Sequence, residues 1–471
     1  MPVKLKPYPQ YKDSGVPWLG EIPAHWNVKP GFSVLSEQKV KNIGMTEKTV
    51  LSLSYGRIIV KPPEKLHGLV PESFETYQIA DPGNIIIRSI DLQNDKTSLR
   101  VGLVKERGII TSAYLNLAVK GELTPDYGYL LLHSCDLLKV FYGMGSGLRQ
   151  NLDFSDFKRM PVLVPSKEEQ NKLSQYLDDA NRKINRFIHN KRSLIKLLNE
   201  QKQAIINQAV TRGLDPTIPL KPSGISYLED IPKHWDVWKL GYLAWIGNGS
   251  TPLRSNINYW QSGNYPWLNS SVVNREIISY SDQFVTSFAL QECHLPKVKP
   301  GSVLVGITGQ GKTRGMAALL GIEATISQHI AYISPKDERL LPQYLCWFLK
   351  ALYTTLRTMS QDSGSTKEAL TCQDIKNIRV ALPSLDEQKA IDLDIKCSLE
   401  RVNSIVTRTQ HEIELMQEYR TRLISDVVTG KIDVRDIEIL VLPDEDVVEE
   451  LDEELLDAAE AELEAVEDAD E

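Results

Sequence analysis

Residues Gly306-Ile307-Thr308-Gly309-Gln310-Gly311-Lys312-Thr313 fit the phosphate-cradling pattern GxxxxGK[ST] and follow a strand-like run, Ser302–Val305. In such a site backbone N–H groups and the lysine ammonium hold phosphates at the N-terminus of a helix that starts at once. Here Gly315 follows two residues after Thr313, and Gly321 interrupts the short apolar run beyond it. The helix that the chemistry needs is not written, and the corresponding segment of the first half, Arg88-Ser89-Ile90-Asp91, carries no such motif. The expectation is a basic, flexible loop; a P-loop NTPase or a nuclease acting through the GQGKT segment is the alternative. Nothing else reads as a catalytic set. The eight histidines are scattered, and the two that recur, His25 and His234, stand beside Pro and Trp, where packing is expected. Five widely spaced cysteines without a CxxC pair read as free thiols in a reducing compartment, with no metal site.

Polar contact chemistry is better represented. Arg and Lys suit guanine edges and phosphates, and Asn and Gln suit adenine. In turn-like or glycine-rich stretches the first half offers Arg57, Arg88, Gln93, Asn94, Lys96, Arg149 and Gln150. The second half offers Arg254, Asn269, Ser270, Ser271, Gln310, Lys312, Arg314, Gln328 and Lys367. Arg149 and Lys367 fall at equivalent positions, just after Gly145-Ser146-Gly147 and Ser363-Gly364-Ser365.

That equivalence reflects a duplication of the whole chain. GVPWLGEIPAHWNV (15–28) matches GISYLEDIPKHWDV (224–237), offset by 209 residues. VLVPSKEEQ (162–170) matches VALPSLDEQ (380–388), offset by 218, and AVTRGLD (209–215) faces VVTGKID (427–433) at the same offset. Each half therefore holds an opening motif, a variable body and a long closing segment. The closing segments contain no Gly or Pro between Lys167 and Arg212 or between Leu385 and Thr429. Their apolar residues alternate in steps of four and three, through Ile184, Ile188, Ile195 and Leu198 in the first and Ile395, Leu399, Val402 and Ile413 in the second. Two helices of roughly 65 Å are expected, at 1.5 Å per residue, pairing as an antiparallel coiled coil. The bodies, about 29–161 and 238–379, read as mixed α/β from short β-branched runs such as NIIIR and SVLVGIT.

Charge divides the 471 residues further. From Asp444 to Glu471 there are 16 acidic residues and no Lys or Arg; removing them from the net charge of −8 leaves +8 for residues 1–443. A basic folded part suits a polyanion. In the tail Val448, Leu451, Leu455, Ala459, Leu463 and Val466 recur at steps of three and four, as one apolar helical face would.

The repeated opening motif, two variable bodies and two helices opening with PSxxEQ and closing near VT–D resemble the specificity subunits of Type I restriction-modification enzymes over residues 8–436. The resemblance implies a mixed α+β fold with pseudo-twofold symmetry: target recognition domain 1 at 1–161, a conserved spacer helix at 162–214, target recognition domain 2 at 215–379, a second spacer helix at 380–436 and an acidic tail at 437–471. It implies a non-catalytic, cytoplasmic chain that reads a bipartite, asymmetric site on double-stranded DNA. It also implies two methyltransferase subunits, two restriction subunits and no membrane. S-adenosylmethionine, ATP and Mg would be needed only by those partners, and the Asn/Asp-Pro-Pro-aromatic run of adenine methyltransferases is absent here. Two similar domains reading one duplex face need half-site centres about one helical turn, roughly 34 Å, apart. A coiled-coil adaptor without a DNA role would leave the duplicated basic bodies unexplained.

Overall fold

The computed structural model describes residues 5–16, 19–54, 56–62, 73–90, 92–93, 99–144, 151–309, 311–361 and 369–439. Asn94, Lys96, Arg149, Gln150, Gln310, Lys367 and residues 440–471 of the acidic tail lie outside the described residues. The chain divides into two units, one of residues 1–192 with 411–471 and one of residues 193–410. Each takes the first half of one long helix and the second half of the other. Those helices run Lys167–Arg212 and Leu385–Val428, of 46 and 44 residues.

The first unit has strands β1 (Tyr11–Asp13), β2 (Glu21–Pro23), β3 (Asn27–Pro30), β4 (Leu35–Glu37), β5 (Leu51–Ser54), β6 (Arg57–Val60), β7 (Gln78–Ala80), β8 (Ile85–Ile87), β9 (Val101–Leu103), β10 (Gly108–Ile110), β11 (Leu115–Val119) and β12 (Pro161–Val164). Its main sheet has the order β4-β11-β8-β9. The three isoleucines of β8 are fully buried, as a central strand covered on both faces requires. Pairs β1–β2, β3–β12, β5–β6 and β7–β10 surround it. Helix Pro125–Leu137 starts with proline inside its first turn, where the missing N–H costs nothing.

The second unit has β13 (Leu220–Pro222), β14 (Asp230–Pro232), β15 (Asp236–Lys239), β16 (Ala244–Asn248), β17 (Tyr265–Leu268), β18 (Ile277–Ile278), β19 (Gln283–Val285), β20 (Val303–Gly306), β21 (Ala317–Leu320), β22 (Thr325–Ile326), β23 (Ile330–Pro335) and β24 (Arg379–Leu382). A five-stranded sheet, β16-β23-β20-β21-β18, stands beside a three-stranded one, β19-β17-β22. The sequence repeat carries through: β1, β2 and β3 return as β13, β14 and β15, 209 residues on, and β8 and β12 as β20 and β24, 218 residues on. Even the capping boxes repeat, Asp153 with Asp156 and Thr371 with Asp374. Residues 161 and 379, where the bodies were expected to end, open strands that pair with β3 and β15. Each body thus claims the first residues of its closing segment as a strand.

The helix seams are buried or half-buried along their length. Their polar interruptions find partners. In the first unit Lys191 pairs with Glu412 at 2.7 Å and Arg420 donates to Asn185 Oδ1 at 3.0 Å, so the two helical segments run antiparallel there. In the second, Lys202 donates to Asn403 Oδ1 at 3.1 Å.

A titratable group is buried in the first unit. His133 stacks on Tyr129, with ring centroids 5.5 Å apart, and its Nδ1 has no hydrogen-bond partner among the described residues. Burial, then the charge of Arg420, pushes the imidazole down from 6.5 to about 4. The folded chain keeps His133 neutral while the unfolded chain takes up a proton. Stability is therefore full above pH 6.5 and lost as the pH falls towards 4, by about 3 kcal/mol if this group acts alone. Urea midpoints measured across that window should flatten in His133→Asn; an unchanged slope would assign the pH dependence elsewhere.

Candidate nucleic-acid interface

The two repeated motifs meet. In the first unit the Trp26 indole N–H donates to Glu169 Oε1 at 3.0 Å, His25 Nε2 lies 2.9 Å from Glu169 Oε2, and the Tyr8 hydroxyl donates to Oε1 at 2.8 Å. Burial and the adjoining Glu169 carboxylate raise the Tyr8 phenol above its ordinary range, keeping it a donor. In the second unit Trp235 donates to Glu387 Oε1 at 2.9 Å and His234 Nε2 lies 3.0 Å from Oε2. The neighbouring glutamines fasten the helix starts. Gln170 donates to the carbonyls of Pro165 and Glu122, and Gln388 to those of Pro383 and Arg339. The recurring histidines are thus structural, as expected: they lock a body onto the first turn of a long helix. Gly213 and Gly430 follow the long helices at φ of +73° and +78°. A Cβ on Gly430 would come within 2.5 Å of Pro23, so a helix exit also seats on the opening motif.

With that frame fixed, the loops vary. In the second unit β16, β17, β20 and β22 all end, and β23 begins, at one edge. Three backbone bonds stitch it: Ser250 N to Ile326 O, Ser327 N to Leu268 O and Ile307 N to His329 O, at 2.9–3.0 Å. The edge brings together Asn269, Ser270, Ser271 and Gln328, with Arg254 and Lys312 on the loops leaving β16 and β20. Arg254 is exposed, with its guanidinium 4.0 Å from the Trp260 ring and 4.8 Å from Trp267, and donates to Gln283 Oε1 at 2.8 Å. Asn269 caps the 3-10 turn Ser270–Asn274, its Oδ1 accepting from the N–H and hydroxyl of Ser271. Lys312 is exposed.

Arg314 requires a correction. It is 1% exposed and belongs to the interior, not to a surface loop. The chain doubles back tightly here. Gly315 N donates to Gly306 O, Gly306 N donates to Met316 O, and Gly315 at φ +84° turns the chain against helix Tyr353–Gln361. The same hairpin counts against the phosphate-loop reading: β20 leads into antiparallel β21 and not into the helix that a phosphate loop opens.

In the first unit Arg88 leaves the end of β8 on a segment pinned by buried Arg100, whose guanidinium donates to the carbonyls of Arg88 and Ile90 at 3.1 and 2.8 Å. Gln93 is exposed two residues after Asp91 on the same loop. Arg57 is half-buried at the β5–β6 turn, near enough to Arg420 to disfavour its charge. Arg88 and Gln93 thus share a loop, and Arg57 lies on another element.

The comparisons agree with this frame. The model of the Type I restriction modification DNA specificity domain matches residues 232–415. A putative type I restriction enzyme MjaX specificity subunit of Methanocaldococcus jannaschii is 21% identical over 431 residues, covering 88% of this chain and 96% of its own. The MjaVIII specificity subunit of the same organism is 22% identical, covering 70% of this chain and 76% of its own. Along most of its length the chain is similar to Type I specificity subunits. A structure described as "Structural basis underlying complex assembly and conformational transition of the type I R-M system" superposes with a TM-score of 0.65 at 14% identity. It covers 87% of this chain and 99% of that one, and so shares the fold. Sequence reasoning passed over Thr251 and His329, which hydrogen-bond Gln328, and Thr308, which hydrogen-bonds His329. Their one signal was the adjacency of Gln328 and His329, too common a pairing to single out.

Proposed function

We propose that this specificity subunit reads an interrupted, asymmetric site on double-stranded DNA, one half through each body. It would direct two adenine-N6 methyltransferase subunits and two restriction subunits to that site in the cytoplasm. The observation that carries the reading is one clamped frame, present twice, holding two different sets of polar loops. Identical frames place the loops alike; different loops recognise different bases. The chain itself would be non-catalytic, with S-adenosylmethionine, ATP and Mg used by the partners.

Mapping N6-methyladenine in DNA from cells that express the chain with its methyltransferase partner tests the reading. The expected product is methylation within one two-part motif with unequal halves and a fixed gap. Methylation that follows no motif, or that continues without the chain, would sink it.

A further inference from the structure

We infer that Gln328 is the residue with which the second body reads an adenine, and that His329 and Thr251 position its carboxamide; this rests on the reading that the body contacts base edges. The turn Ser327–His329 joins β22 to β23. Ser327 and Ile330 are buried on either side, and Gln328 and His329 are exposed between them. The stitching bonds from Leu268, Ile307 and Ser250 hold the turn on both flanks, so its backbone is fixed before any ligand arrives.

The side chain is fixed as well. The Thr251 hydroxyl donates to Gln328 Oε1. Gln328 Nε2 donates to His329 Nε2 at 3.0 Å, which puts the imidazole proton on Nδ1, where it is donated to Thr308 Oγ1 at 2.6 Å. A primary carboxamide has two N–H donors and two acceptor sites. One of each is spent on these neighbours, leaving one N–H and one acceptor on an exposed group. Adenine's major-groove edge offers N7 as acceptor and N6–H as donor, and that pair needs this complement. A carboxamide held in place loses little freedom on binding, which favours discrimination over mere adhesion.

The other described candidates at this edge lack the combination. Asn269 spends its carbonyl oxygen on Ser271. Arg254 is committed to two indole faces and to Gln283. Lys312 carries only donors on a point charge, which suits a phosphate.

The test maps N6-methyladenine in cells expressing the methyltransferase partner with wild-type chain, Gln328→Ala, Gln328→Glu, His329→Ala or Thr251→Val, with thermal melting of each purified protein. Gln328→Ala should lower the preference for adenine at one position of one half-site by about ten- to a hundred-fold. Gln328→Glu, which offers only acceptors, should move that position from adenine to cytosine, whose N4 amino group donates. His329→Ala and Thr251→Val should relax the same position while melting like wild type. An unchanged motif in both Gln328 variants, or a change in the half read by the first body, overturns Gln328 as the reader. Unrelaxed His329→Ala and Thr251→Val variants overturn the positioning roles. A wild-type chain that gives no two-part motif brings down the functional reading itself, an outcome separable from the other two.

Discussion

Replacing residues 31–160 with the equivalent stretch of a Type I specificity subunit should replace one half of the methylated motif and leave the other half as it was. The cut points follow from the structure. A body defined as 29–161 would sever β3 and β12, which pair from Asn27–Val164 to Pro30–Pro161 and carry the loops on a ribbon joined to the frame. Retaining that ribbon retains the Trp26–Glu169 clamp beneath it. Each mismatched base pair costs about 1–3 kcal/mol, roughly additively. A half-site altered at three positions would then lose about 3–9 kcal/mol, at least about a hundred-fold in occupancy at the original sequence. Methylation mapping reads the outcome directly. Coupled changes in both halves would refute independent reading by two bodies, and an unaltered motif would place recognition outside the exchanged loops.

The second large effect concerns the clamp. Glu169 is 5% exposed and accepts from Tyr8 and Trp26, with His25 at its other oxygen. Glu169→Ala leaves the phenol and indole donors without their acceptor inside the core. At about 1–3 kcal/mol for each stranded group, the loss should be about 3–5 kcal/mol. Glu387→Ala should cost less, about 1–2 kcal/mol, because Glu387 is half-buried and, among the described residues, its carboxylate hydrogen-bonds Trp235 and His234 only. Denaturant unfolding gives the sizes, and hydrogen exchange in β12 and β24 localises each to its unit. If Glu169→Ala unfolds within 1 kcal/mol of wild type, the carboxylate is not what fastens the body to the helix.

The order of elements was legible because duplication makes a sequence its own comparison. The 209 and 218 offsets placed the opening motif, the strand-like run of NIIIR and SVLVG and the long helices in both halves, and the absence of Gly and Pro bounded the helices closely. The clamp was written twice too, in His-Trp and in the Glu of PSxxEQ. Still, the partners lie 143 residues apart, and periodicity reports only which face a residue is on, not what it meets there. The candidate interface was legible by residue type alone. Gln328 was chosen because amides suit adenine; that Thr251 and His329 orient it depends on loops from three strands converging. Arg314 was misplaced because a glycine-rich stretch reads as open loop, whereas Gly306 and Gly315 close a hairpin that carries the arginine inward.

The division of the long helices bears on how the chain comes to be folded. The second unit is one uninterrupted segment, 193–410, whereas the first is interrupted by it. Leu423, Val427, Val428 and Val434 lie in the same core as Trp26 and Ile22, and Tyr127 donates to the carbonyl of Val428, 301 residues away. Contacts of such high sequence separation form slowly, since a long loop must close before they return any stabilisation. On a ribosome the N-terminal unit emerges first yet finishes last, waiting for the last turns of the second long helix, while the unit behind it holds all its parts earlier. A chain released early would therefore carry a finished second body and an unfinished first one, with the exposed core of the latter open to the proteases that remove incomplete proteins.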